Sequence, residues 1–153
     1  MSQYSTIHTA YGLAKMSLAE SDDTPITITH VVVGDGNGND VTPDVNMTSL
    51  VRERFRAPIG RSYRDVNTPN MFTVEVTIPA DEGGFTLREI GVLDSDGGLI
   101  VVGNLPTTYK PTPADGAYSD TVVRVSFMVS NADIVAITLD PNVTVVTQEW
   151  ISN

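Results

Sequence analysis

Three groups of residues in this chain have the types and spacing to do chemistry. Asp35, Asn37 and Asn39 stand first, third and fifth in a loop counted from Asp35, the spacing of oxygen ligands in a calcium loop. That loop also needs glycine at its sixth position and a bidentate glutamate at its twelfth, where this chain has Asp40 and Asn46. A plain polar loop is the better reading. Gly34, Gly36 and Gly38 fit neither the dinucleotide fingerprint nor the phosphate loop, because the spacing differs and no lysine follows. His8 and His30 are the only histidines and there is no cysteine, so a zinc cluster is hard to build. His30, inside a β-branched run, reads as a hydrogen-bonded core or interface residue. Hydrolysis needs a nucleophile with an orienting base, or two carboxylates across a cleft. No G-x-S-x-G elbow occurs, and Glu75, Glu82 and Glu89 each lie beside turn or strand residues, where solvated or arginine-paired carboxylates are the common outcome. No catalytic residue, metal ligand or cofactor site is assigned.

The third group is cationic. Arg52, Arg54, Arg56, Arg61 and Arg64 place five of nine cations within thirteen residues of an otherwise acidic chain. They read either as internal partners for nearby acids or as a docking strip for an acidic protein surface, since arginine forks suit carboxylates at interfaces. Both readings stand at this stage.

The chain that must position these residues is 153 residues long, enough for one domain with its own core. Its 20 valines, 10 isoleucines and 18 threonines outweigh 8 leucines and 9 alanines, a bias towards pleated sheet. The net charge of −10 disfavours nucleic acid, whose binding draws on phosphate-neutralising cations, and disfavours anionic membranes. No secretory signal or bilayer-spanning run is present, so synthesis in a cytoplasm is expected.

Thr9 to Glu20 predicts a short helix capped by Thr9, with Leu13, Met16 and Ala19 or Leu18 on its apolar face. Ile26 to Val33 predicts a strand. Thr48 to Val51 has a helical look with Asp44 or Thr48 as start, and an edge strand follows Pro58 to about Tyr63. Phe72 to Ile78 alternates apolar and polar residues as a half-buried strand does. Phe85 to Leu93 and Leu99 to Leu105 flank Asp94 to Gly98 as a hairpin, and a proline-rich loop runs from Pro106 to Gly116. Thr121 to Val129 and Ile134 to Leu139 read as a second hairpin. Thr147, with Glu149 two residues on, reads as a helix start, and Trp150 falls in its first turn.

The stretch TVEVTIPADEGGFTLREIGVLDSDGGLIVVGNLPTTYKP, Thr73 to Pro111, resembles the N-terminal domain of phage tail-collar fibre proteins, found in P2-like tail fibres and R-type pyocin fibres. The resemblance is carried by Pro79, Gly83-Gly84-Phe85, Arg88-Glu89-Ile90-Gly91, Asp94 to Gly97 and Tyr109-Lys110-Pro111. Thr9, Gly12, Ala14 and Lys15, then Val33 to Gly36, then Thr147 to Ile151 extend it over nearly the whole chain.

The expected fold is α+β, mainly antiparallel and sandwich-like, with one or two short helices and a C-terminal helix start leading to a stalk. Residues 1–146 would form the attachment domain and 147–153 the stalk entry. The resemblance implies a non-enzymatic virion tail component, homotrimeric, which docks on baseplate proteins and relays receptor engagement. Arg52, Arg54, Arg56, Arg61, Arg64, Arg88, Glu89, Thr147 and Trp150 are the interface candidates, with Arg88 and Glu89 expected as an internal or intersubunit ion pair and not a catalytic dyad. The rival readings are a carbohydrate-binding β-sandwich and, more distantly, a glycan-cleaving enzyme using Glu82 or Glu89.

Overall fold

The structure is a computed structural model that describes residues 5–22, 24–112, 120–129 and 134–137. Its elements are β1 (Thr6–His8), α1 (Ala10–Asp22), β2 (Ile26–Gly34), β3 (Glu53–Pro58), β4 (Arg61–Arg64), β5 (Met71–Ile78), β6 (Phe85–Asp94), β7 (Leu99–Lys110), β8 (Thr121–Met128) and β9 (Val135–Ile137). A one-turn 3₁₀ segment, Gly36–Gly38, follows β2. One sheet runs β1-β7-β6-β2-β3, with β9 also paired to β2, and a second runs β4-β5-β8. The β2–β9 pairing is parallel and the others are antiparallel.

The two sheets close on one core, as a sandwich requires. Alternation on β5 and β8 sends Phe72, Val74, Val76, Ile78, Val123, Val125 and Phe127 inwards to meet Val31, Val33, Ile90, Val92 and Val101. Phe72 and Phe127 stack with centroids 6.0 Å apart. A smaller cluster of Val32, Leu93, Leu99 and Val102 is covered by Leu50, with Ile7 and Met47 against it. β2 feeds both clusters because its register shifts between Ile28 and His30. A bulge of this kind reverses which side chains face inwards. Ile26 and Ile28 therefore share the large core with Val31 and Val33, while Val32 turns the other way. The carbonyl of the bulged Thr29 accepts from the Ile59 amide at 3.0 Å, so the irregularity leaves that group satisfied. His30 is half-buried and bonded through Nδ1 to Thr29 Oγ1 at 2.8 Å.

The helix seats by residues that do little on their own. Thr9 Oγ1 accepts from the Gly12 amide at 2.9 Å, the expected cap, and donates to the Leu99 carbonyl at 2.6 Å. Tyr11 Oη donates to Asp94 Oδ2 at 2.7 Å, and Lys15 Nζ reaches Asp96 at 2.8 Å and Asp94 at 3.6 Å. The Asp96 hydrogen bond holds the Lys15 ammonium above its usual range. Burial, then the Asp94 carboxylate, raises the Tyr11 phenol. Met16 and Ala19 face the core while Leu13 and Leu18 are exposed, so the apolar face is narrower than the spacing predicts. Gly12 is buried where a Cβ would collide with the Ile100 carbonyl and Cγ2, which sets how closely α1 can lie on β7.

Four expectations change. No helix forms around Thr48 to Val51. Asp44 Oδ1 takes the Asn46 amide in a local turn, and the Val51 and Arg52 amides are drawn to the Glu89 side chain instead of helical carbonyls. The edge strand expected from Pro58 to about Tyr63 is divided: β3 ends at Pro58, and β4 begins at Arg61 in the other sheet. β7 continues through Pro106 to Lys110, because the register slips between Leu87 and Glu89 and the proline falls where no ladder amide is needed. β8 pairs with β5 along its length, and β9 lies beside Ile26–Ile28 of β2, so the second hairpin does not form. There Ile134 joins the large core, and Val135 and Ile137 pack against it. The helix start at Thr147 lies outside the described residues.

Two predictions follow from packing. Gly12→Ala would stabilise an exposed helix by about 1 kcal/mol, but here the clash should destabilise by about 1–3 kcal/mol; a urea midpoint that rises would refute the close approach. His8 meets Phe127 edge-on, centroids 6.3 Å apart, with Nε2 buried and unbonded. Burial lowers its pKa below 6.5, against a raising hydrogen bond to the Met128 backbone. The unfolded chain then binds the proton first, so stability is complete above about pH 6.5 and falls as pH drops towards the folded value. His8→Leu should flatten the unfolding midpoint between about pH 7 and 5 relative to the parent.

Candidate docking interface

A register shift between Leu87 and Glu89 interrupts the alternation of β6, so that Arg88 and Glu89 both lie on the side away from the core that Leu87 and Ile90 face. Glu89 is fully buried. Its Oε1 accepts from the Val51 amide at 2.8 Å, and its Oε2 from the Arg52 amide at 2.8 Å and the Gly36 amide at 3.1 Å. One carboxylate thus ties the loop after β2 to the segment entering β3. Gly34 makes room for it, since a Cβ there would stand 2.5 Å from Glu89 Oε2. Arg88 reaches the same loop but a different group, donating to the Asp35 carbonyl at 2.9 Å. Within the chain no Arg88–Glu89 ion pair forms among the described residues, because three amides already satisfy the carboxylate.

Asp35 is the first residue of the calcium-like spacing, and its charge is already answered. Its Oδ2 lies 2.9 Å from Arg54 Nη1 and 3.0 Å from Arg52 Nη2, and its Oδ1 accepts from the Asn37 amide at 2.8 Å. Burial opposes ionisation, but the Asn37 amide and the two guanidinium groups prevail and hold its carboxyl below the usual range. Asn37 takes φ of +55°, the left-handed region tolerated by asparagine, and places Oδ1 3.1 Å from Arg52 Nη1. Arg54 also lies over the Phe85 ring at 5.5 Å. The loop is an arginine-neutralised turn.

The other arginines are placed differently. Arg56 forms a two-bond fork with Glu53, each bond 2.8 Å. Arg61 lies over Tyr63 at 5.3 Å. Arg64 donates to the Pro69 carbonyl at 3.0 Å and covers Phe72. The five therefore divide: Arg52, Arg54 and Arg56 serve internal acids on β3 and its entry, and Arg61 and Arg64 sit on β4. Thr147 and Trp150 lie outside the described residues. Glu75, Glu82 and Glu89 do not converge. Glu75 is in the small sheet and bonded to Arg124 at 2.7 Å and Tyr63 at 3.1 Å, Glu89 is in the large sheet, and Glu82 is in the turn before β6.

Sequence reasoning missed a buried lysine. Lys110 Nζ donates to the Glu82 carbonyl at 2.8 Å and the Pro111 carbonyl at 3.3 Å, and its own carbonyl accepts from the Gly84 amide at 2.8 Å. Gly83 packs where a Cβ would collide with the Pro111 carbonyl, and Gly84 takes φ of +80°. The glycine pair and Tyr109-Lys110-Pro111 are thus two halves of one joint. Their matching positions either side of the β6–β7 hairpin are the signal that could have paired them.

Among the described residues no three histidine or acidic side chains gather to hold a metal, and no helix is long and apolar enough to cross a membrane. The fold and these joints define a structural β-sandwich domain whose polar residues mostly tie its own loops together. The chain belongs to the phage tail-collar fibre family: the family model described as the N-terminal part of phage tail-collar fibre protein matches residues 1–149. It is also 32% identical over 152 residues to the "Probable tail fiber protein" of Escherichia phage P2. That alignment covers 99% of this chain and 23% of the relative, so the chain spans about a quarter of that protein's length. No solved structure matches it. A tail fibre is a component of the virion tail.

The Glu89 joint makes a direct prediction. Glu89→Gln places an amide group among amides and should destabilise by on the order of 3 kcal/mol. Glu82→Gln, an exposed change, should stay within about 0.5 kcal/mol. Equal denaturation midpoints for the two variants would show that the buried bonds carry no such weight.

Proposed function

We propose that this domain is the attachment end of a homotrimeric tail fibre, docking on baseplate proteins of a contractile tail and relaying receptor engagement to them. The observation that carries the reading is the near-complete coverage of this chain against a quarter of a tail fibre protein, by a family model for the N-terminal part. The internal chemistry agrees with it. Glu75, Glu89 and Asp35 are each held by amides, arginines or a phenol, and a carboxylate so held is poorly placed to exchange protons with a substrate. A rigid sandwich with short joints also suits transmission of force between a stalk and a base.

The interface candidates narrow with the geometry. Arg52 and Arg54 contribute to docking through the shape of the loop they hold, whereas Arg56, Arg61 and Arg64 keep guanidinium faces available to a partner. The carbohydrate-binding reading gains no comparable support, since the exposed Tyr63 and Tyr109 lie in different sheets. The test is competition. Purified domain, added in excess to tails lacking fibres, should occupy them and lower later fibre incorporation at least tenfold. Undiminished incorporation, together with specific binding on a glycan array, would replace this reading with the carbohydrate-binding one.

A further inference from the structure

The nine cations of this chain are divided unequally between internal and outward duties. Lys15, Arg52, Arg54 and Arg56 meet carboxylates on neighbouring loops and strands. Arg88 bonds a loop carbonyl, and Lys110 is buried on two carbonyls. The outward face of the β4-β5-β8 sheet is different. Its register sets Arg61 opposite Glu75 and Glu75 opposite Arg124, so a single carboxylate stands between two guanidinium groups. The next row is Tyr63, Thr73 and Ser126, with the two hydroxyls bonded at 2.8 Å. Val122 and Met128 lie towards the two ends of the same face.

That face carries an excess of positive charge on a chain of net charge −10. It also exposes apolar area: Tyr63 is 41% exposed, Val122 46% and Met128 46%. Tyrosine, methionine and arginine are the types enriched at protein interfaces, where charged residues are otherwise depleted. We propose that this sheet face is the surface by which one copy of the chain binds the acidic surface of another. The inference rests on the homotrimer in the proposed function and names the face that would serve it.

The argument for a second copy is charge. Copies of net charge −10 repel wherever acidic surface meets acidic surface. A cationic, partly apolar face removes that penalty and supplies the contact area at once. Two such faces would gather four guanidinium groups around two carboxylates, which leaves positive charge uncompensated in the contact and disfavours that pairing. The contact is therefore head-to-tail, and head-to-tail contacts close into rings when the rotation permits.

Light scattering on the 153-residue chain tests this, with Arg61→Glu/Val122→Glu, Arg61→Ala and Arg56→Ala alongside. Among the described residues Glu75, opposite Arg61, is paired with Arg124 and not with Arg61, so Arg61→Ala and Arg56→Ala should melt close to the parent. The parent should associate, and more weakly as salt rises. The double variant should need at least tenfold higher concentration to do so. Arg61→Ala should shift in the same direction by less, giving a reading should the double variant melt early, and Arg56→Ala should behave as the parent. Parent-like association of both position-61 variants would overturn the inference, as would a parent that stays monomeric. A monomeric parent that still occupies fibreless tails would sink this inference alone and leave the attachment function standing.

Discussion

The arrangement of the large sheet's far end depends on a carboxylate that water cannot reach. Glu89 sits in β6, yet its two oxygens organise backbone from the loop after β2 and the approach to β3. A buried carboxylate is costly unless it is fully hydrogen-bonded, and here three amide donors meet that demand. The same three amides would be orphans without it. Neither the loop nor the segment before β3 could close on an apolar side chain at this position. Arg88, Asp35, Arg52 and Arg54 form a second, more exposed layer around that centre, and their geometry presupposes the loop that Glu89 has already shaped.

Packing and polar joints divide the work. Fully burying a valine, leucine, isoleucine or phenylalanine contributes roughly 1.5–3 kcal/mol each, so the sandwich core supplies most of the stability. Apolar burial opposes one-residue slips, which would turn inward side chains outwards, but slips of two residues keep the same faces and would bury similar area. The joints choose among them. Thr9 and Tyr11 bind α1 to the β6–β7 hairpin, Lys110 closes the turn before β6, and Glu89 closes the far end. Each joins segments far apart in the chain, where a sequence-local signal has least to say.

That distinction explains what was legible in the sequence. Strands β2, β5, β6 and β7 were read from alternation and turn residues, because period and punctuation are local properties. The helix cap at Thr9 was read for the same reason. The helical look of Thr48 to Val51 misled because the competing partner for those amides lies 38 residues away in Glu89. β9 misled because a strand following another usually pairs with it, whereas Val135–Ile137 gains more beside the isoleucines of β2. The arginine strip was visible as a strip, but its division into internal and outward members follows from loop contacts and strand register.

Among the described residues, many of those that carry the family resemblance are members of these joints. Thr9, Gly12 and Lys15 seat the helix, Gly34 and Gly36 receive Glu89, Gly83 and Gly84 receive Lys110 and Pro111, and Asp94 holds the hairpin turn. A signature built from such positions specifies a scaffold and leaves the outward faces free to differ. At 32% identity to a phage P2 tail fibre protein, this chain can keep every joint and still present a different surface. On the proposed self-association, partner choice would fall to residues outside the signature, among them Arg61, Tyr63, Val122 and Arg124. A family motif in this fold is accordingly a guide to how the domain is held together.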